Sequence, residues 1–437
     1  MTDVAATTSR ASLPAQWLRL REASIRASQP DGIPPAVRRW IVVLFTLGFL
    51  AAVIKMLVRH MITMPDGVHH WNDSYIYLGA ASDFIDHPSH LYDSAHLQVV
   101  RSWAQRTFVH PPSGVLPYLP LVPVLRAFGM PVAASVWSLV DTVALFGGLT
   151  LLARKLGLSW LVTTGAIMLI GLAQPARWEI ESGQINGLVI ALLMLAVVRM
   201  PRPDSGVLMG LALAFKPVSV IVLLVPLLRR QPWITVLAVI TLALVNVPIV
   251  FLIGISVTLF YVGHVLPFFA GYALHDPNNI SLPNVLQTFL GGGALPRHRL
   301  FNAPVPGGIE AVVVLWVLRI AVFALWLRAT IERRLGAALA VALAMATVPF
   351  LSSTIWPHYL LYAMPLAFVT LSSKHVGIRA GATAALLAFL WQSRSDALWV
   401  GIIILWVTAA VFVALDLGWR LPRAVRGRET AALRARV

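Results

Sequence analysis

Apolar runs long enough to cross a hydrocarbon core recur along almost the whole chain, separated by short polar, Arg-rich or Pro-rich turns. A helix needs roughly 20 such residues to span a bilayer of about 30 Å. Runs at residues 40–58, 132–152, 158–172, 185–198, 234–253, 309–327, 335–351, 359–371, 378–391 and 398–415 therefore predict crossing helices. Two further segments break the rhythm. Residues 113–128 are short and rich in Pro, and residues 206–228 are interrupted by Lys216-Pro217. Each reads as a re-entrant half-helix pair, tolerated only where protein buries its backbone, or as a further span. Either way the pattern predicts an all-α polytopic membrane protein with about 10–12 transmembrane helices, because the alternating pattern of a membrane barrel is absent.

Composition agrees: hydrophobic residues make up 58% of 437 positions and charged residues only 12%. A soluble domain carries roughly a quarter charged residues, so this chain lacks the means to cover a water-facing surface. The net charge of +16 would suit a nucleic-acid binder, but its placement points elsewhere. Arg and Lys gather at the ends of apolar runs and in two tails, residues 1–38 and 419–437. That is the positive-inside pattern with affinity for anionic lipid, so membrane lipids are expected partners and nucleic acid is not. It predicts both tails to be cytoplasmic, residues 39–418 to form one membrane domain, and two outside loops at about 60–112 and 256–308. With no cysteine, disulfides and thiolate chemistry are excluded. The first thirty residues show no apolar stretch of the signal-peptide kind.

The polar residues that could carry chemistry collect on the predicted outer side. The first loop holds His69-His70-Trp71-Asn72-Asp73-Ser74-Tyr75-Ile76-Tyr77 and, later, Phe108-Val109-His110-Pro111-Pro112. Asp73 reads as a helix cap or as a general base beside aromatics. Scattered His and Asp in this loop lack metal-ligand spacing, so no metal is expected. Arg177-Trp178-Glu179-Ile180-Glu181-Ser182-Gly183-Gln184-Ile185-Asn186 forms a polar turn opening an apolar helix, whose N-terminus would suit an anion. Lys216 sits within an apolar run, where a charge pairs or faces a cavity. Asp141 and Arg319 are intramembrane too, and read as mutual partners or snorkelling chains. The second loop offers His275 and Asn279, and Trp356-Pro357-His358 opens a span from outside.

Taken in order, these motifs resemble glycosyltransferase family 87, polyprenol-phosphate-sugar-dependent enzymes of the GT-C superfamily. The likeness runs from the acidic aromatic motif through Phe108 to Pro112, Gly183 to Asn186, Lys216-Pro217 to Arg229-Arg230, and Asn278 to Ser281, ending at Trp356-Pro357-His358. The family usually reads Tyr-Pro-Pro where this chain has His110-Pro111-Pro112. The resemblance implies a GT-C-type fold and an inverting transfer of sugar from a polyprenyl-phosphate donor to a cell-envelope glycan or glycolipid, on the extracytoplasmic face of a bacterial plasma membrane. It implies no cofactor, the lipid-linked sugar being a substrate. Asp73 would be the base and His358 its partner at the donor phosphate, with His110, Arg177, Gln184, Asn186, Lys216, His275 and Asn279 binding substrate. The Lys216 and His275-to-Ser281 stretches favour arabinofuranose as the sugar, while Gly-Gln-Ile-Asn and Trp356-Pro357-His358 fit mannose. A transporter or flippase is the competing class, favoured by Lys216, Asp141 and Arg319 but lacking a repeat.

Overall fold

The computed structural model describes residues 33–63, 73–92, 108, 110–267, 272–275, 278–290, 299–302, 308–390 and 397–418. The sequence features at residues 64–72, 93–107, 109, 276–277 and 297–298, and most of both tails, lie outside those residues.

The apolar runs fold as helices: α1 (Pro35–Thr63), α2 (Asp73–Asp86), α3 (Met130–Lys155), α4 (Trp160–Leu172), α5 (Gln174–Ser182), α6 (Asn186–Arg199), α7 (Asp204–Phe215) and α8 (Pro232–Ile253) make up the N-terminal half. Among the described residues, five helices are long and apolar enough to cross a membrane. They are Pro35–Lys55, Met130–Lys155, Pro232–Ile253, Ile309–Ile331 and Leu398–Asp416. The bent pair α5–α6, turning through 116°, adds a sixth if taken as one span. The remaining apolar runs form shorter helices broken at proline, as at Pro217 and Pro357. Proline is accepted in a first helical turn but removes an internal hydrogen bond, so these runs begin as tight 3-10 turns and continue as α-helix. The interruption expected at Lys216-Pro217 is present, Lys216 being extended between α7 and the turn Pro217–Leu223. The Pro-rich run is likewise split, into Pro112–Leu121 and Val122–Phe128. The protein is a multi-pass membrane protein. Exposed Leu44, Leu47, Val239, Leu244, Phe251, Val317 and Ile320 are what lipid-facing helices present.

Small residues bring the helices together. A side-chain carbon on Gly206 would stand 2.3 Å from the Ile234 carbonyl oxygen, and one on Gly210 2.5 Å from that of Ala238. The Gly206-x-x-x-Gly210 stripe thus lets α7 and α8 touch backbone to backbone, the usual means of helix association in lipid. Gly148 of α3 does the same against Ala191 of α6.

Three features differ from the pattern reading. The second loop contains an antiparallel ribbon, β1 (Tyr272–His275) paired with β2 (Arg299–Asn302), in an otherwise helical chain. Apolar helix also continues past Gly254 to Val265, within the stretch read as the second loop. Finally, Asp141 and Arg319 neither pair with each other nor snorkel. Asp141 accepts from the Leu188 N–H at 2.8 Å, and Arg319 donates to the Phe350 carbonyl at 2.9 Å. Both are buried, and each is satisfied by the backbone at a nearby helix end, which offers partners without intrahelical bonds.

Candidate active site

The site is organised by the turn between α5 and α6. Gly183 closes α5 in the left-handed region (φ +62°), and a side-chain carbon there would meet Ser74 at 2.5 Å. Glycine therefore serves twice, making the turn and admitting the start of α2. The Trp137 indole donates to the carbonyls of both Gly183 and Gln184 at 2.9 Å, fixing the turn to α3.

So held, Gln184 bridges two of the candidate groups, Asp73 and Lys216. Its Nε2 donates to the Asp73 carboxylate at the first residue of α2, in a short hydrogen bond. Its Oε1 accepts from the Lys216 ammonium at 3.1 Å and from the Tyr77 hydroxyl at 3.3 Å. Lys216 can only donate, so the orientation of the amide is determined, with nitrogen toward the carboxylate. Tyr77 lies one turn beyond Asp73 on α2 and meets His110 Nε2 at 2.9 Å. Its single proton is given to Gln184, so the imidazole donates in that contact. Phe108 and Tyr118 pack on the Tyr77 ring, and the Tyr92 hydroxyl donates to the His110 carbonyl.

Burial sets the protonation of the two groups beside α2. It pushes the Tyr77 phenol well above its usual range, with the Asp73 charge adding to the effect, so Tyr77 remains a donor. It holds the His110 imidazole well below its usual value, and the Lys216 ammonium adds to that, so His110 is neutral near pH 7.

Lys216 is 1% exposed and lies 4.4 Å from the centroid of the Tyr359 ring, a cation–π contact. Next to Tyr359, His358 is 2% exposed, and both of its ring nitrogens are without a hydrogen-bond partner among the described residues. Asp73 and His358 are therefore not bonded directly. Gln184 and Lys216 lie between them in the network, and Tyr359 links Lys216 to His358.

The other sequence candidates lie around this centre. Asn186 donates to Glu179 at 2.8 Å and accepts from the Tyr362 hydroxyl at 3.2 Å, one layer deeper. Asn279 is a clip: its Oδ1 accepts from the N–H groups of Ser281 at 3.1 Å and Ile355 at 2.9 Å. It thereby ties the second loop to the Trp356-Pro357-His358 segment. Arg177 forms an ion pair with Glu181 along α5 at 3.7 Å, both partly exposed. Beside it Trp178 stacks nearly parallel to Trp356, at 6.5 Å between centroids. His275 lies on β1, and its side chain is outside the described residues. Sequence reasoning passed over Tyr77, Tyr359 and Glu179 as site groups. The spacing of Asp73 and Tyr77 at i and i+4 was a usable signal for the first, since one helix face carries both.

The model of glycosyltransferase family 87 matches residues 108–354, more than half of the chain. The chain belongs to glycosyltransferase family 87. Within the matched part of this family 87 chain lie His110, Gln184, Lys216 and Asn279, while Asp73 and His358 flank it on either side. Over 197 residues it is also 27% identical to the polyprenol-phosphate-mannose-dependent alpha-(1-2)-phosphatidylinositol pentamannoside mannosyltransferase of Mycolicibacterium smegmatis. That similarity covers 44% of this chain and 45% of the relative, so the chain spans less than half of the relative's length.

Proposed function

We propose that this family 87 chain is an integral-membrane inverting glycosyltransferase. It takes a sugar from a polyprenyl-phosphate donor and gives it to a hydroxyl of a glycan or glycolipid on the extracytoplasmic face. The observation that carries the reading is the single bridge from Asp73 through Gln184 to Lys216. A carboxylate able to take a proton and a buried ammonium able to hold a phosphate are set in one rigid array, which is what a displacement between two bound substrates needs. The acceptor hydroxyl attacks the anomeric carbon, its proton passes to Asp73, and the bond from that carbon to the phosphate oxygen breaks on the opposite face. The lipid phosphate leaves with the bonding electrons beside Lys216. The free ring nitrogens of His358 are available to the same phosphate.

Two further features support a lipid-linked donor and the sidedness. An open groove of about 380 Å³, lined by Pro111, Leu213, Pro217, Val239, Leu242 and Asn246, begins next in sequence to His110 and Lys216. Its nearly apolar walls suit the chain of an isoprenoid phosphate. Gln184 stands at the start of α6, and Arg199 ends that helix roughly 20 Å away. The basic turns at Arg154-Lys155, Arg199 and Arg328 share that far end, the end the positive-inside rule assigns to the cytoplasm.

The sugar has two readings. The Mycolicibacterium smegmatis relative is named for polyprenol-phosphate-mannose, which supports mannose. Arabinofuranose stands as the second, resting on the Lys216 and His275-to-Ser281 stretches. Purified protein assayed with polyprenyl-phosphomannose and polyprenyl-phospho-arabinofuranose side by side decides between them. Consumption of neither donor, with any acceptor glycolipid supplied, would overturn the enzyme reading and return attention to transport.

A further inference from the structure

One face of α5 carries side chains that its packing into the bundle does not use. Gln174, Arg177, Trp178 and Glu181 are partly exposed, while the residues between 174 and 177 and between 178 and 181 are buried. The four follow the spacing i, i+3, i+4 and i+7, so they share one side of the helix. The Trp178 ring lies 11° from parallel to that of Trp356, itself partly exposed, with 6.5 Å between centroids. Stacked carbon atoms touch at about 3.5–4.0 Å, so at that separation neither indole covers the whole face of the other. The segments beneath both rings are fixed. Gly183 ends α5 against Ser74, and Ile355, just before Trp356, is held on both sides. Its N–H donates to Asn279 at 2.9 Å, and its carbonyl accepts from the Ile280 N–H at 2.6 Å.

Groups that bond hydroxyls edge these rings. Arg177 and Glu181 pair across one helical turn at 3.7 Å. Gln174 Oε1 has no hydrogen-bond partner among the described residues. We infer that Trp178 and Trp356 form the platform on which a sugar ring of the acceptor stacks, with Gln174, Arg177 and Glu181 as its hydrogen-bonding rim. The C–H groups of a sugar ring suit the negative face of an indole, and its hydroxyls suit an amide, a guanidinium and a carboxylate. The platform also stands where an acceptor is needed. Trp178 precedes Gly183 by five residues, about 7.5 Å along the helix axis, and Gly183 lies against the residue next to Asp73. Trp356 comes two residues before His358. None of the residues lining the apolar groove belongs to α5 or to the Trp356 segment, which leaves the platform to the other substrate. That the sugar bound here is the acceptor rests on the transferase reading above. That a sugar binds does not.

Saturation-transfer NMR on the purified protein in detergent reads the contact directly. The probes are mannobiose and the corresponding arabinofuranose disaccharide, each as the free sugar and as its octyl glycoside. Saturation should pass to the ring C–H protons of at least one probe, above the level of protein-free micelles. Transfer to a free sugar assigns a glycan, and transfer to an octyl glycoside alone assigns a glycolipid. Trp178→Ala and Trp356→Ala should each cut the transfer severalfold, and Trp178→Phe, which keeps a ring, should restore most of it. In turnover, the alanine variants should raise KM for the acceptor roughly tenfold, with kcat and the donor KM far less changed. No transfer to any probe, or equal transfer in wild type and both alanine variants, would overturn the inference. In the second case the indoles are interfacial anchors only, of the kind tryptophan often provides at a membrane surface. Because binding is read without turnover, failure to consume either polyprenyl donor would strike the transferase reading and leave this result standing.

Discussion

At the scale of single residues, the centre of the site is built by setting polar atoms against partners of opposite capacity. Gln184 illustrates this, because its amide has a carboxylate on the nitrogen side and an ammonium and a phenol on the oxygen side. Gln184→Glu would place an acceptor against Asp73, so transfer should fall by roughly 10²-fold or more while the protein still purifies as a folded species. Steady-state assays of that variant beside Gln184→Asn check it. His110 gives a pH signature. Its folded pKa lies below the unfolded value of about 6.5, so the unfolded chain binds the proton first. The contribution to stability is full above that pH and is lost as pH falls below it toward the folded value. Melting temperature should therefore drop on acidification below about pH 6.5, and His110→Gln should lessen the drop; an unchanged profile in that variant would count against the burial argument.

At the scale of elements, positioning comes from turns rather than from long helices. Gly183→Ala would force a side chain into the left-handed region, a cost of about 1–2 kcal/mol, and drive it into Ser74. Lower melting temperature together with lost activity is expected there, whereas Gly147→Ala, on α3 with open space around it, should lower neither. Asn279→Ala leaves the N–H groups of Ser281 and Ile355 unsatisfied, at about 1–3 kcal/mol each. It should loosen the His358 segment, measured as a lower melting temperature. Much of this was legible beforehand. The run from Asp73 to Tyr77, the Gly-Gln-Ile-Asn turn and Lys216 were recognisable as motifs, and the fold brings all three together. Glu179 was not legible, because Arg177-Trp178-Glu179-Ile180-Glu181 reads as a solvated polar turn. Only the helical form of α5 shows that Glu179 points inward while Arg177 and Glu181 point out. The clip role of Asn279 was equally hidden, since its partner Ile355 is 76 residues away.

At the scale of the whole molecule, the apolar pattern foresaw the long helices, while runs such as 158–172 and 378–391, also expected to cross, form helices of only 13 residues. The long spans starting near residues 40, 132, 234, 309 and 398 all appear close to the expected bounds. The ribbon of the second loop did not announce itself, because four-residue strands carry too little alternation to separate from loop. Sidedness has a direct check, made clean by the absence of cysteine. A membrane-impermeant thiol reagent applied to intact cells should label Glu181→Cys and spare Arg202→Cys, and the reverse pattern would place the site in the cytoplasm.

The central claim is that the array joining Asp73 to Lys216 performs sugar transfer. The most direct measurement is the turnover of polyprenyl-phosphomannose and polyprenyl-phospho-arabinofuranose by purified Asp73→Asn against wild type. Removing a general base costs about 10²–10⁴-fold. The expected result is one donor consumed by the wild type and a loss of that size in the variant, with melting temperature preserved. Turnover by Asp73→Asn at the wild-type rate would contradict the account.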